Sequence, residues 1–292
     1  MKLKKNTVHD QYQRIVVIGQ NGFIGSSVIS KLKLEGIETI GVGRNHIDFE
    51  SKAAPKYFHS LLKSYDKVIF AAGDVPVKNT EQFEANLIII RHFLEGSQGK
   101  KLSQLVYVSS DAVYKDSDIP LTENSIRAPE TLHGLMHLTR EVILQSSEFA
   151  EKLSIVRPTL IYGAMDPHNG YGPSSFMKLA QNFKPIVLYG EGEELRDFVH
   201  ISDVAEIICD IVNNSIYGQV NIATGIAHTF LEVAQATAKI LDIGTNILNI
   251  PRTFPIPHNG YRPFDISKLR KLFPEHKFRS LEEGLILMNQ AL

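Results

Sequence analysis

The chain has 292 residues, of which 43% are hydrophobic and 22% are charged, a balance typical of a globular protein with an ample core. Lys and Arg number 31 against 32 Asp and Glu, which gives a net charge of −1. This even balance excludes the basic surface of a nucleic-acid-binding protein and argues against a membrane-surface patch.

The remaining composition argues against a secreted or membrane protein. The single cysteine, Cys209, lies in an apolar helical stretch, so no disulfide can form within the chain and a buried structural thiol is expected. The N-terminal stretch MKLKKNTVHDQYQ is positively charged but lacks the apolar segment of a signal peptide. No apolar run approaches the length of a membrane span. We therefore expect a cytoplasmic protein.

Short β-branched runs alternate with amphipathic helical patterns through the first half of the chain. Strands are predicted at residues 14–19, 38–42, 67–72, 104–110 and 153–158. Helices are predicted at residues 23–35, 55–64, 81–95 and 131–149. This alternation predicts an α/β fold with a doubly wound parallel (Rossmann) sheet.

The pattern changes after about residue 160, where glycine and proline cluster in YGAMDPHNGYGPSS and the later segments shorten. We predict a dinucleotide-binding domain formed by residues 1–162 plus 199–225. Residues 163–198 plus 226–292 are predicted to form a smaller C-terminal substrate-binding lobe.

A glycine-rich turn joins the first predicted strand to the first predicted helix. In VIGQNGFIG the glycines are Gly19, Gly22 and Gly25, and Phe23 and Ile24 open the helix. Glycines permit a tight turn and a close approach to pyrophosphate, and the helix N-terminus supplies N–H donors. A lone glycine pattern is weak, but the strand–turn–helix context favours a dinucleotide-binding turn here.

The end of the second strand bears on which dinucleotide is bound. An NAD-selective site places an acid there to hold the ribose 2′-hydroxyl, whereas this chain has Gly43 followed by Arg44. Arg44 can meet a 2′-phosphate or stack on adenine, or it can be a solvated arginine. NADP(H) is therefore favoured, with NAD(H) as the alternative. Asp48 either contacts the adenine amine or caps the next helix.

Several stretches together resemble the extended short-chain dehydrogenase/reductase family, which modifies nucleotide sugars as epimerases, dehydratases and 4-keto-reductases. They occur in the family's order and extend over nearly the whole chain. The stretches are GQNGFIG (19–25), FAAG (70–73), VYVSSDAVY (106–114), VRPTLIYG (156–163), LYGEGEELRDFVHISDVA (188–205), NIATG (221–225) and YRPFDISKL (261–269).

The resemblance assigns residues to the reacting end of the site. Ser110 matches the catalytic serine or threonine that hydrogen-bonds the reacting sugar oxygen, although the adjacent Ser109 is easily confused with it. Ligands in such sheets bind beyond the carboxyl ends of the strands, where both serines lie. Positions that match residues beside the nicotinamide and its ribose are Ala71, Ala72, Gly73 and Pro158.

Two arginines match the family positions that hold the substrate diphosphate, Arg196 and Arg262. The planar guanidinium group suits this task because it binds phosphate oxygens in pairs. For Arg196 an ion pair with Asp197 or Glu194 is the structural alternative.

Two further stretches are assigned to substrate. Asp111 follows the serine, but the next residue is Ala112 where dehydratases of the family carry glutamate, so dehydration is disfavoured. In DPHNGYGP (166–173), Asn169 is the candidate substrate residue, with His168 and Tyr171 beside it. A turn built by glycine, proline and asparagine is an equally good interpretation of this loop.

The family's Tyr-x-x-x-Lys motif is replaced by two histidines, His133 and His137. Histidine, with an ordinary pKa near 6.5, titrates where proton transfer is useful. Imidazole nevertheless reaches about 2 Å less far than a phenol, and a misplacement of about 1 Å can cost roughly 10²-fold in rate. The i, i+4 spacing also suits a metal, but no third ligand is evident and no metal is predicted. Tyr114, Tyr162 and Tyr171 are alternative phenols.

Two functions are weighed. The first is an NAD(P)-dependent oxidoreductase acting at C4 of a nucleotide-linked hexose, as a 4-keto-reductase or as a 4-epimerase that removes and returns hydride. Ser110, His133 and His137 would be its catalytic residues, and His137 would also contact cofactor. The second is a catalytically silent nicotinamide-nucleotide-binding regulatory or scaffold protein. The resemblance also implies a homodimer, a nucleotide-diphosphate sugar substrate and a role in polysaccharide or antibiotic-sugar biosynthesis.

Overall fold

The structure is a computed structural model that describes residues 14–168, 170–242, 244 and 246–291. Two expectations lie outside the described residues, namely the one on the N-terminal stretch and the substrate role of Asn169.

Strands and helices alternate as the sequence predicts, with helix ends displaced by a few residues. The strands are β1 (Arg14–Ile18), β2 (Glu38–Val42), β3 (Lys67–Phe70), β4 (Gln104–Val108), β5 (Leu153–Pro158), β6 (Leu160–Tyr162), β7 (Ile186–Tyr189), β8 (Leu195–His200), β9 (Gly218–Ile222), β10 (Ala227–Thr229), β11 (Ile247–Ile250) and β12 (Tyr261–Arg262). The helices are α1 (Phe23–Leu34), α2 (Ala54–Leu61), α3 (Thr80–Ser97), α4 (Leu132–Gln145), α5 (Pro173–Gln181), α6 (Ile201–Asn213), α7 (Phe230–Leu241), α8 (Ser267–Leu272) and α9 (Leu281–Ala291).

Six strands form one parallel sheet in the order β2-β1-β3-β4-β5-β9. Along β1, Ile15 and Val17 join the core that includes α1 and α6, whereas Val16 and Ile18 join the core that includes α2 and α3. Because helices cover both faces, β1, β3 and β4 are continuously apolar after their first residue. The predicted doubly wound Rossmann sheet is confirmed. The strand order reverses between β1 and β3, where such sheets bind ligands.

The later part of the chain builds a second sheet and a separate core. Strands β10, β8 and β12 pair in that order, β6 also pairs with β8, and β7 pairs with β11. A third core lies between these strands and α5, α7 and α9, and includes Tyr162, Phe176, Phe230 and Leu285. The division of the chain into two lobes with the boundaries given above stays a prediction.

Cys209 is buried in the core beside α6, and burial raises the pKa of its thiol to about 12. This agrees with the predicted structural role. Within the described residues, no helix combines the length and the apolar character that crossing a bilayer requires.

Candidate active site

The turn between β1 and α1 contains three closely packed glycines, of which Gly19 lies against the end of β3. Gly19 has a φ of +96°, and a Cβ there would lie 2.8 Å from the carbonyl carbon of Ala71. A Cβ on Gly25 would overlap the carbonyl oxygen of Gly19, so only glycine permits this packing of helix on turn. Gly22 precedes α1 and no side chain caps the helix there, which leaves the first N–H groups for an anion. This geometry fits the pyrophosphate of a dinucleotide.

The end of β2 carries amide side chains beside glycine. A Cβ on Gly43 would lie 2.8 Å from Asn21 Nδ2, so an acid at this position would have to displace Asn21. Gln20 lies over the same strand end, and its Nε2 donates to His46 Nδ1 at 2.9 Å. Sequence analysis missed this polar cluster, although Gln20 and Asn21 stand inside the glycine motif.

Arg44 and Asp48 lie beyond this cluster at the surface. Arg44 is exposed, with its guanidinium 3.8 Å from the Glu50 carboxylate. Asp48 accepts the Glu50 N–H at 3.1 Å, and α2 begins only at Ala54, so the alternative that Asp48 caps that helix was wrong. Its contact with adenine stays a prediction.

A cleft of about 800 Å³ opens at the carboxyl ends of β3, β4 and β5 and extends to the second sheet. Most predicted site residues line it, namely Gly22, Phe23, Ile24, Ala71, Ala72, Gly73, Ser110, Asp111, His133, His137, Pro158, Arg196 and Arg262. Gly19 and Gly25 shape the turn behind the cleft, and Arg44 and Asp48 lie away from its lining. The lining residues Arg140 and Arg252 were not predicted from the sequence, and Glu194 was named there only as a possible ion-pair partner of Arg196.

The two serines that follow β4 have different surroundings. Ser109 is buried and donates to Glu141 Oε1 at 2.7 Å. Ser110 is half-buried in the cleft wall, and its Oγ accepts the Ala112 N–H at 3.2 Å. Ser110, whose hydroxyl proton has only a long 3.5 Å contact to Asp111, is therefore the serine that can donate to a ligand.

His133 lies in the first turn of α4, which Thr131 caps. Its Nδ1 accepts a long and therefore weak hydrogen bond from the Val77 N–H at 3.5 Å. Burial lowers the pKa of His133, the Asp111 carboxylate raises it, and His168 adds to the lowering. The imidazole is therefore neutral near pH 7 and suited to accept a proton.

His137 lies one turn further along α4 and is buried at the base of the cleft. Its Nδ1 is 2.8 Å from the Tyr107 hydroxyl, and its ring meets that of His133 edge to face, with centroids 4.7 Å apart. Burial lowers the pKa of His137 well below its ordinary value, and His133 and Arg140 add to the effect. His137 is therefore uncharged.

Arg140 is a buried cation on the same face of α4. Its Nη1 donates to Ala72 O at 2.8 Å and its Nη2 donates to Asn86 O at 2.8 Å. The guanidinium thus fixes the chain just after β3, where the cleft begins. Its signal in the sequence is the spacing of three residues from His137, which puts both side chains on one helix face.

A buried ion pair ties α4 to β5 behind Ser109. Glu141 accepts from Arg157 Nε at 2.8 Å and Nη2 at 2.7 Å, and both side chains are almost fully buried. Arg157 Nη1 also donates to the Tyr114 hydroxyl at 2.7 Å, whose own proton goes to Asn221. This network holds the helix that carries the two histidines against the sheet, and it occupies the phenol of Tyr114.

The far end of the cleft holds a shared carboxylate between two arginines. Arg196 Nη2 donates to Glu194 Oε2 at 2.7 Å and to Pro257 O at 2.7 Å, and Arg252 pairs with the other oxygen of Glu194. Of the two ion pairs weighed for Arg196, the one with Glu194 forms. Among the described residues, the buried Nε of Arg252 has no hydrogen-bond partner, so it can still donate.

Arg262 is held by two acids, one of which, Asp111, directly follows Ser110. Its Nε donates to Asp111 Oδ2 at 2.8 Å, its Nη1 to Asp116 Oδ1 at 2.5 Å, and its Nη2 to Asp111 O at 2.7 Å. His258 Nδ1 lies 2.6 Å from the same Asp116 oxygen. Asp111 is therefore engaged with Arg262, and a ligand phosphate would compete with both acids for this arginine.

Tyr171 is the one alternative phenol of the three weighed that lines the cleft. Its hydroxyl accepts the Tyr189 N–H at 3.1 Å, and its ring packs on Phe230 with centroids 4.3 Å apart. Together with Phe254, these rings give the far end of the cleft an aromatic wall.

The described residues hold one cluster in which three potential metal ligands converge, formed by Asp203, Glu206 and His276. Arg279 forms ion pairs with both acids at 2.5 and 2.9 Å. The cluster lies outside the cleft lining and does not include the histidine pair of α4.

The fold, the glycine turn and the cleft beyond the strand ends define a dinucleotide-binding protein of the Rossmann class. The model of the NAD dependent epimerase/dehydratase family matches residues 15–223. The chain therefore belongs to this family, and the resemblance stated from its motifs is confirmed.

Relatives extend the match over nearly the whole chain. The chain is 23% identical over 316 residues to GDP-L-fucose synthase of Escherichia coli (strain K12), covering 94% of each. It is 26% identical over 314 residues to UDP-N-acetyl-alpha-D-glucosaminuronate decarboxylase of Bacillus cytotoxicus, covering 94% of this chain and 95% of the relative. The solved structure of UDP-glucose 4-epimerase from Thermus thermophilus, a complex with NAD, superposes with a TM-score of 0.82 at 22% identity, over 95% of this chain and 98% of that one.

Proposed function

We propose that this protein is an NAD(P)-dependent nucleotide-sugar oxidoreductase that acts at C4 of a nucleotide-diphosphate hexose, as a 4-keto-reductase or as a 4-epimerase. One observation carries the proposal: a single cleft joins the glycine turn, the Ser110–His133 pair and an arginine-rich end. Its lining suits a dinucleotide and a nucleotide sugar that meet at Ser110 and His133. The names of the relatives, a fucose synthase, a decarboxylase and an epimerase of nucleotide-linked sugars, support this substrate class.

The proton chemistry follows from the state of His133. A bound nicotinamide cofactor would supply or accept the hydride at C4. Ser110 would donate a hydrogen bond to the C4 oxygen. During oxidation of the sugar His133 would accept the hydroxyl proton at Nε2, as the neutral tautomer that carries its own proton on Nδ1 and gives up the long contact with the Val77 N–H. In the reductive direction protonated His133 returns that proton to the oxygen. Because burial lowers the pKa of His133, reduction should become faster as the pH falls towards that pKa.

The arginine-rich end would hold the diphosphate. Arg196 and Arg252 share one carboxylate between two positive charges, which leaves a net positive charge for phosphate oxygens. The unpartnered Nε of Arg252 adds a donor in the same region. Arg262 would join them by exchanging an acid for a phosphate. The aromatic wall of Tyr171 and Phe254 can take the nucleobase.

For the cofactor, the end of β2 favours NADP(H) over NAD(H). Gly43 and Arg44 occupy the positions where an NAD-selective site has an acid. The exposed Arg44 can exchange its 3.8 Å contact with Glu50 for a contact with a 2′-phosphate. Arg44→Ala should then weaken NADPH binding roughly tenfold while leaving NADH binding nearly unchanged. Fluorescence titration of both cofactors checks this preference, and equal losses for both would contradict it.

The test of activity is anaerobic mixing of the protein with NADPH or NADH and a panel of nucleotide-linked 4-keto sugars, followed by the nicotinamide absorbance. Interconversion of nucleotide-linked hexoses, followed by proton NMR, tests the epimerase. His133→Phe should lower turnover by roughly 10²- to 10⁴-fold, the usual worth of a general acid–base group. His59→Phe, at an exposed histidine outside the cleft, is the matched control.

Two results would count against catalysis by His133. If His133→Phe keeps wild-type turnover, another group moves the proton. If the protein binds cofactor tightly, turns over no sugar and gains activity only in His133→Tyr, the chain is the silent binding protein of the alternative hypothesis.

We further propose a homodimer formed through α3 and α4. Leu132, Leu135 and Val142 are exposed along α4, at spacings that place them on one side of the helix. Ile89 and Ile90 of α3, by contrast, are buried in the core of the chain itself. Leu135→Glu with Val142→Glu should convert a dimer to a monomer in light scattering, and a monomeric wild type would contradict the proposal.

A further inference from the structure

Tyr107 connects the sheet to the histidine pair. It lies in β4, is 1% exposed and packs in the core beside Phe70 of β3. Its hydroxyl is 2.8 Å from His137 Nδ1. The positive charge of Arg140, whose guanidinium is bonded to Ala72 O and Asn86 O, is close enough to act on the same phenol.

The direction of the hydrogen bond between Tyr107 and His137 follows from the groups around it. Arg140 is positively charged and has only donors, so the phenol turns its oxygen lone pairs, and not its proton, towards Arg140. Burial raises the pKa of Tyr107, so the phenol keeps its single proton at neutral pH. That proton therefore points away from Arg140 and towards His137 Nδ1, the hydrogen-bond partner 2.8 Å away. A neutral imidazole that accepts at Nδ1 carries its own proton on Nε2.

We propose that Tyr107 is a positioning residue that holds His137 as the neutral tautomer protonated at Nε2, so that His137 faces the cleft as an uncharged hydrogen-bond donor. His137 lines the cleft while its Nδ1 is occupied by Tyr107. The free N–H lies at the base of the cleft, where it would meet the cofactor.

The uncharged state of His137 matters for its neighbour. The rings of His133 and His137 are 4.7 Å apart, so a positive charge on His137 would oppose protonation of His133. The other ionisable groups that face this pair are Arg140 on α4, Asp111 after β4 and His168 on the loop after β6. This consequence rests on the proposed function, because it concerns His133 as the proton carrier. The tautomer itself does not.

The experiment is a long-range proton–nitrogen correlation spectrum of the ligand-free protein with ¹⁵N-labelled histidine at neutral pH. The His137 signals are assigned by their loss in His137→Asn. The wild type should give the pattern of an imidazole protonated at Nε2. In Tyr107→Phe the two tautomers should exchange, and the bond patterns of Nδ1 and Nε2 should move towards each other. Tyr162→Phe is the matched control, since Tyr162 is also buried against a histidine, His200, but lies outside the cleft lining.

The outcomes separate this inference from the proposed function. A wild-type His137 that is protonated at Nδ1, or that is an imidazolium ion, overturns the inference even if Tyr107→Phe does not fold. A Tyr107→Phe spectrum that equals the wild type also overturns it. If the spectra behave as expected, cofactor affinity should fall roughly 3- to 10-fold in Tyr107→Phe, the worth of one hydrogen bond, and an unchanged affinity would contradict the contact with cofactor. Expected spectra without turnover of any sugar would refute the proposed enzyme and leave the tautomer assignment intact.

Discussion

Glu194→Gln should change stability and ligand affinity in opposite directions. The Glu194 carboxylate is 4% exposed and lies between Arg196, at 2.7 Å, and Arg252. Removing its charge leaves two buried cations without a counter-ion, which typically costs 3–5 kcal/mol, and about 3 kcal/mol is expected here because the cleft admits water. The entropy of unfolding grows with chain length, so a chain of 292 residues loses about 1.5–2 °C per kcal/mol and the ligand-free Tm should fall by roughly 5–6 °C.

The same substitution should strengthen binding of a diphosphate. Without the carboxylate, phosphate oxygens no longer compete with Glu194 for the two guanidinium groups, so the Kd for UDP should fall roughly 3- to 30-fold. Differential scanning fluorimetry with and without UDP measures both effects, because a ligand that binds only the folded state raises Tm. Glu193→Gln, at an exposed acid next in sequence, is the control and should change neither quantity.

Two results would refute this reasoning. An unchanged Tm in Glu194→Gln would mean that the arginines do not depend on this carboxylate. Weaker UDP binding in the variant would mean that Glu194 orients the arginines for the ligand rather than competing with it.

Three further outcomes are expected. Gly25→Ala should lower cofactor affinity more than tenfold and reduce Tm, because the new Cβ would overlap Gly19 O. Cofactor titration measures the affinity and scanning fluorimetry measures Tm. A variant with wild-type affinity would argue against the glycine turn as the cofactor site. Glu141→Ala should lower the free energy of unfolding by about 3–5 kcal/mol, since it leaves Arg157 buried and unpaired; a loss below about 1 kcal/mol in urea unfolding would contradict this. Burial lowers the pKa of His200 to about 4, below the ordinary value of about 6.5. The stability contributed by neutral His200 is therefore present above about pH 6.5 and is lost as pH falls towards 4, because the unfolded chain binds the proton first. The free energy of unfolding in urea should fall less between pH 7 and pH 5 in His200→Asn than in the wild type, and asparagine keeps a cap for α6. An equal fall in both proteins would refute this role of His200.

The large sheet was predictable because its signals are local. Runs such as 15–18 and 105–108 are continuously apolar, as strands covered on both faces must be, and each is followed by a helical pattern. The strand β9 was not predicted as a strand, although it completes the edge of the sheet. Its sequence GQVNI mixes polar and apolar residues, and its place depends on pairing with β5, more than fifty residues earlier.

The residues of the candidate site were likewise predictable where their signals are local and unpredictable where they depend on tertiary contacts. Ser110 and the histidine pair follow a strand or share a helix face, so sequence order alone brought them to one end of the sheet. The ion pair between Glu194 and Arg252 joins residues that are 58 positions apart in the sequence. Neither local segment contains a pattern that predicts it. Such contacts depend on tertiary approach, which spacing along the chain does not encode.

His133 and His137 of α4 replace the tyrosine and the lysine of the family motif, and the two replacements make chemical sense only together. A tyrosine, with an ordinary pKa near 10, needs a neighbouring cation before it can move protons near pH 7. A histidine titrates near that pH already, and a cation 4.7 Å away would push its pKa further from use. A histidine at position 133 therefore needs an uncharged neighbour, and His137 held by Tyr107 is one. A tyrosine at the same position needs a positively charged neighbour, which is the role of the family's lysine. If the chain had lost its activity by chance, nothing would make the residue at position 137 suit the histidine at position 133. The observed pair therefore favours an enzyme with altered acid–base chemistry over an inactive one.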